Sequence, residues 1–140
     1  MLSLLLLIGV TVISRVTENK LSISITGLHN NKGHVLISLY KDGNGYPDKV
    51  DKAVRRAKLS ITDKTASISF PGLIAGNYAI AILHDENDDE KMNTNFLGLP
   101  KEGYGFSNNV MGSFGPPSFS KASFQYVANQ IKAISIKARY

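Results

Sequence analysis

The sequence predicts an all-β domain, a single seven-stranded antiparallel β-sandwich with one long structured loop and at most one short helix. Three observations carry that prediction: apolar and polar residues alternate at period two from Lys20 onward, the pattern recurs seven times between turn-forming residues, and no long stretch shows a helical period. Many short strands without helical segments favour two packed sheets over layered α/β architectures. At 140 residues and 43% hydrophobic content the chain suits one core, because two would leave each half too small to stabilise itself.

The first strand is read from Leu21, Ile23 and Ile25 alternating with Ser22, Ser24 and Thr26. After the turn Asn30-Asn31-Lys32-Gly33, residues His34–Tyr40 form the second, and the pair is expected to be a hairpin. Val50, Ala53, Val54 and Ala57 share one helical face just after Pro47-Asp48, which predicts a short helix or turn. Further strands are expected at Lys58–Thr62 and Thr65–Phe70, flanking an Asp63-Lys64 turn, then at Asn77–His84, Ala122–Val127 and Ile131–Arg139.

Residues 1–16 hold an apolar run too short to span a bilayer as a helix, and they read as a signal peptide, although no basic residue precedes the run. The alternative is a buried first strand over residues 2–13. Export predicts a periplasmic or secreted domain, residues 17–140, with no stable membrane insertion once the leader is removed. The absence of cysteine leaves no disulfide framework and no lipoprotein attachment point. The net charge of +5 comes from sixteen Lys and Arg scattered along the chain, with no dense cluster beyond Arg55, Arg56 and Lys58, so no nucleic-acid partner is expected.

The segment from Asp85 to Ser120 has no strand or helix period. Loops this long in compact domains are functional, internally packed or disordered. Phe96, Tyr104, Phe106, Phe114 and Phe119, five of the chain's twelve aromatics, lie in it, which argues for a packed flap. Its front carries five of the eleven acidic residues within Asp85–Glu90, and oxygen-bearing side chains recur at Asp85, Asn87, Asp89 and Asn93. With the Lys91 carbonyl, that spacing is what a calcium loop uses at its first, third, fifth, seventh and ninth positions. The loop departs from that pattern at Glu90, where a turn glycine is usual, and at Phe96, where a bidentate glutamate is usual; Glu102 is a candidate substitute. The competing reading is structural: Asp, Asn and Glu after a strand make side-chain-to-backbone turns.

The back of the segment offers a candidate platform for a glycan or peptide, made from His84, Phe96, Glu102, Tyr104, Phe106, Ser107, Asn108 and Asn109 among glycines that permit close approach. Packing of the same rings at the end of the sandwich competes with it. Hydrolase signatures are lacking: there is no cysteine, no Gly-x-Ser-x-Gly elbow and no His-Glu-x-x-His. His84 remains the one candidate general base or zinc ligand, and that role requires an approach to a group such as Ser107 or Asn109.

The runs Phe70-Pro-Gly-Leu-Ile-Ala-Gly-Asn-Tyr-Ala-Ile-Ala-Ile-Leu-His-Asp85, Asn93-Thr-Asn-Phe-Leu-Gly-Leu-Pro-Lys-Glu-Gly-Tyr-Gly-Phe-Ser-Asn-Asn109 and Phe114-Gly-Pro-Pro-Ser-Phe119 closely resemble the uncharacterised bacterial family DUF2141, over about residues 20–140. The resemblance implies an exported protein. Its Gly-Leu-x-x-Gly-x-Tyr strand entry is similar to those of transthyretin-like and carboxypeptidase-regulatory-like sandwiches. The family pattern after His-Asp resembles Glu-Asn-Gly-Asn-Gly-Lys-Leu-Asp, so this chain differs at Asp88, Glu90 and Asn93, replacing two turn glycines and one carboxylate. Together the residues and the resemblance predict a non-enzymatic envelope module that meets a cation, a glycan or an envelope protein through residues 84–109. The alternatives are a purely structural domain and a cryptic hydrolase using His84.

Overall fold

A computed structural model describes residues 8–15 and 18–140. Eight strands form two sheets around a shared core, one more strand than the alternation predicts. β1 (Lys20–Thr26) lies between β4 (Ala66–Pro71) and β8 (Ile131–Lys137) in a three-stranded sheet. β3 (Arg55–Leu59), β2 (His34–Lys41), β5 (Gly76–Asp85) and β6 (Tyr104–Phe106) follow one another across the second sheet. β7 (Phe124–Tyr126) pairs with β5 on the edge that β6 leaves free. The inward residues of β1 (Leu21, Ile23, Ile25), β2 (Val35, Ile37, Leu39) and β5 (Tyr78, Ile80, Ile82) meet in the core.

Three expectations are corrected. β1 and β2 are not a hairpin: β1 pairs antiparallel with β4 and parallel with β8, while β2 pairs with β3 and β5 in the other sheet. The seven-residue connection from Gly27 to Gly33 is longer than a tight hairpin loop, and it buries Leu28 at the core's end as the chain crosses between sheets. The parallel β1–β8 pair also makes the first sheet mixed rather than purely antiparallel.

The short helix or turn expected after Pro47-Asp48 is present, but it does not run on along the Val50–Ala57 face. Val50–Lys52 makes one turn of 3-10 helix, with no buried residue. The chain instead enters β3 at Arg55, and Ala57 and Leu59 pair opposite Ile37 and Val35. Asp63 and Lys64 do make the expected turn, both with left-handed φ, closed by the Thr62–Thr65 bridge. It joins strands of different sheets.

The long segment after β5 is more regular than its sequence indicates. It contributes β6, a 3-10 turn at Ser107–Asn109 and a turn of α-helix, α1 (Phe119–Ala122), whose Lys121 N–H is capped by the Ser118 hydroxyl at 3.4 Å. Half of the expected signal peptide, residues 1–7 and 16, falls outside the described residues. Within residues 8–15 there is no strand, which removes the described part of the buried-strand alternative, and Ile8, Val10, Val12 and Ile13 are exposed. Among the described residues no helix is long and apolar enough to cross a membrane.

Candidate functional site

The acidic loop begins where β5 ends. Asp85 closes the strand opposite His34 and is fully buried, facing away from His84 because neighbouring strand residues point to opposite sides. Its carboxylate accepts the N–H groups of Asp89 at 3.2 Å and Glu90 at 2.9 Å, which curls the chain back over it. Glu102, also buried, returns just before β6 and accepts the N–H groups of Glu86 at 3.2 Å and Asn93 at 3.3 Å. Asp89 accepts from the Lys91 N–H at 3.0 Å and from the Asn87 and Asn93 amides at 3.2 and 2.9 Å.

One oxygen each from Asp85, Asp89 and Glu102 lies within 4.8 Å of the others. Oxygens bound to one calcium ion at about 2.3–2.6 Å sit at most roughly 5 Å apart, so these three fit a single hard cation. Asn93 sharpens the case. Its Oδ1 is buried and has no hydrogen-bond partner, although its amide nitrogen bonds Asp89. An unsatisfied buried carbonyl is costly, and it is also a ligand of the kind calcium takes. Asp89 is held below the usual carboxylate range first by the Asn93 amide and then by the Lys91 N–H, so it stays ionised and ready to bind a cation.

The structure thus brings Asp85, Asp89 and Glu102 together, ties Asn87 and Asn93 to Asp89, and engages Lys91 through its N–H. The sequence spacing found the local members. It named Glu102 only as a substitute, because that residue reaches the loop through β6 pairing rather than through spacing. Asp88 turns the other way, 2.6 Å from His34 and 3.7 Å from Lys58, and the His34 contact is the main reason its carboxyl titrates below the ordinary value.

Asp88 and Glu90 both hold left-handed backbones, with φ of 57° and 58°, a region that favours glycine.

The platform residues do not share one concave surface. Phe96 stands in solvent and so does Phe114, against the expectation that the segment's rings pack. Tyr104, Phe106 and Phe119 do pack: Phe106 and Phe119 meet Tyr46 edge-on at 6.2 and 5.8 Å, and Tyr104 meets Phe106 at 6.1 Å. Ser107 is buried and bridges a gap in the sheet, accepting the Ile80 N–H at 2.9 Å and donating to the Ala122 carbonyl at 2.5 Å. Asn108 donates to the Lys121 and Ser123 carbonyls, and Asn109 accepts the Lys137 N–H while donating to the Ser135 carbonyl.

His84 is buried in a different network that sequence reasoning missed. Its Nε2 lies 2.8 Å from the Lys32 carbonyl, which can only accept, so Nε2 donates there, and Nδ1 lies 2.5 Å from the Tyr140 hydroxyl. That hydroxyl also accepts the His29 N–H, and the His29 ring stacks on Tyr140 at 3.5 Å. Gly103 makes room for the Tyr140 ring, since a Cβ there would collide with it. Nothing in the terminal Ala-Arg-Tyr signals this contact. Ser107 and Asn109 find their partners elsewhere, so the arrangement required for a His84 base is not assembled among them.

No curated protein and no solved structure matches the chain. One family pattern does, over residues 23–135, and its description is an uncharacterized protein conserved in bacteria. That match covers most of the sequence, from the middle of β1 through most of β8 and including the whole acidic loop, and the chain belongs to the DUF2141 family.

Proposed function

We propose that this protein is an exported, non-enzymatic module, a sandwich of the transthyretin-like class, that binds a calcium-type cation through the loop between β5 and β6. The observation carrying this reading is the convergence of the Asp85, Asp89 and Glu102 oxygens beside a buried, unpartnered Asn93 carbonyl. The three carboxylates supply at least three of the six to eight oxygens calcium requires, leaving the remainder to water, carbonyls or the Asn93 amide oxygen. Engagement of both His84 ring nitrogens and of the Ser107 hydroxyl within the fold supports a binding role over hydrolysis.

The purely structural reading has its own support. Each of the three carboxylates already accepts backbone N–H groups, which is what a self-closing loop needs. Thermal melting in calcium and in chelator separates the two. A ligand at a hundredfold its Kd adds about 2.7 kcal/mol, which raises the midpoint by on the order of 10 °C for a domain of this size. Glu102→Gln should abolish the shift. Equal midpoints in millimolar calcium and in chelator would leave the structural reading standing alone.

A further inference from the structure

The pairing of β5 with β6 carries on into the residues just before β6. Leu83 lies opposite Tyr104, and the His84 N–H donates to the Gly103 carbonyl at 2.7 Å, so the next step sets Asp85 opposite Glu102. Asp85 is fully buried and Glu102 is 5% exposed. Like charges directly opposite one another across a strand pair destabilise it, and burial removes the water that would screen them. A hard cation between the two carboxylates turns that repulsion into attraction, provided the two backbones are held in register.

What holds the register lies on the other face of the pair. Successive strand residues point to opposite sides, so the His84 ring and the open side of Gly103 face away from the carboxylates. Tyr140 is laid against both. Its hydroxyl lies 2.5 Å from His84 Nδ1, and its ring fills the space that a Cβ on Gly103 would need. Tyr140 is itself fixed from two directions. Its hydroxyl accepts the His29 N–H at 3.1 Å and its ring stacks on His29 at 3.5 Å, while Arg139 exchanges backbone hydrogen bonds with Tyr104 at 2.8 and 2.9 Å. Tyr140 therefore spans the strand pair one residue away from each buried carboxylate and bonds to neither.

We infer that Tyr140 is a positioning residue for the cation site, and that its docking on His84 and Gly103 is coupled to occupation of that site. This coupling rests on the cation reading, whose regulation it supplies. Release of Arg139 and Tyr140 from β6 loosens the register of Asp85 and Glu102 and weakens the hold on the ion; by reciprocity, the bound ion holds the segment down. Tyr140 is 43% exposed, so it can lift without opening the core. Groups that orient ligands without touching the metal change its affinity by about tenfold to a hundredfold when they are removed.

Calcium chloride is titrated calorimetrically into the full chain and into Tyr140→Ala, Tyr140→Phe and Tyr126→Phe. Tyr140→Ala should bind calcium about tenfold more weakly, and Tyr140→Phe, which keeps the ring against Gly103, should fall between it and the parent. Tyr126→Phe also removes a bonded hydroxyl, but at the opposite end of β5, and should keep the parent's affinity. A purely structural role for Tyr140 would lower stability in both calcium and chelator without moving the affinity. In the parent, exchange of the Arg139 amide should slow about tenfold on adding calcium, because that N–H opens only when the segment lifts. Failure of the parent to bind calcium would remove the cation reading and the coupling with it. With the parent binding, three results would each overturn the coupling alone: unchanged affinity in Tyr140→Ala, an equal loss in Tyr126→Phe, or Arg139 exchange indifferent to calcium. Should Tyr140→Ala not fold, Tyr140→Phe and the Arg139 amide carry the same test.

Discussion

The two halves of the segment that follows β5 are held in different ways. The front half, Asp85 to Asn93, folds on itself: its carboxylates and amides accept the N–H groups of residues only a few positions away. The back half, from Tyr104 to Ala122, folds on the sheets, with Ser107, Asn108 and Asn109 bonding backbone in β5, α1 and β8. The same polar residue types therefore serve a local shape in one half and long-range attachment in the other. Loss of a side chain in the back half should destabilise the whole domain, whereas changes in the front half should alter the loop and whatever it binds.

The largest test of that contrast is Ser107→Ala. Its hydroxyl fills the space between β6 and β7, where the β5 edge would otherwise present the Ile80 N–H to nothing. Removing it leaves that donor and the Ala122 carbonyl without this partner, at about 1–3 kcal/mol each, so a loss of roughly 2–6 kcal/mol is expected in urea unfolding. A loss below about 0.5 kcal/mol would show that water replaces the hydroxyl and that the back half is not anchored there.

A smaller effect of opposite sign is expected in the front half. Glu90 is exposed and keeps φ at 58°, where a side chain costs roughly 1 kcal/mol that glycine does not. Glu90→Gly should therefore stabilise the protein by up to about 1 kcal/mol, measured by the same unfolding curves. Any calcium-induced shift should persist, because the Glu90 side chain is not among the converging oxygens. Destabilisation instead would mean that its carboxylate is needed where it lies.

How far the sequence disclosed these two halves follows from the range of their contacts. The front half was legible because Asp85, Asn87, Asp89 and Asn93 act on one another over eight positions. Glu102 and Tyr140 reach the β5 end only after strands have paired, so spacing could not reveal Tyr140 and only hinted at Glu102. The alternation in β1 and β2 told that each has a buried face but not which sheet it joins, since inward Leu21, Ile23 and Ile25 look the same in either. β3 begins with Arg55 and Arg56, both exposed, and so hid its start. β6 is three residues long, too short for any period to show.

The gentlest test probes the packing that anchors the back half. Tyr46 meets Tyr40, Phe106 and Phe119 edge-on, but its hydroxyl is buried without a partner. Burial, with a smaller contribution from the Tyr40 phenol, pushes its pKa from 10.0 up to about 12. The folded protein thus favours the neutral phenol more than the unfolded chain does. Its contribution is fully present below pH 10.0 and is lost as pH rises towards about 12. Tyr46→Phe keeps the ring contacts and removes both the unsatisfied group and this titration. At neutral pH its stability should match the parent within about 0.5 kcal/mol or exceed it. Above pH 10.0 the variant should lose stability less steeply, though not stop losing it, since burial also raises Tyr40, Tyr78 and Tyr140. Thermal melting across that range checks both statements, and a loss of more than about 1 kcal/mol at neutral pH would mean the hydroxyl is bonded after all.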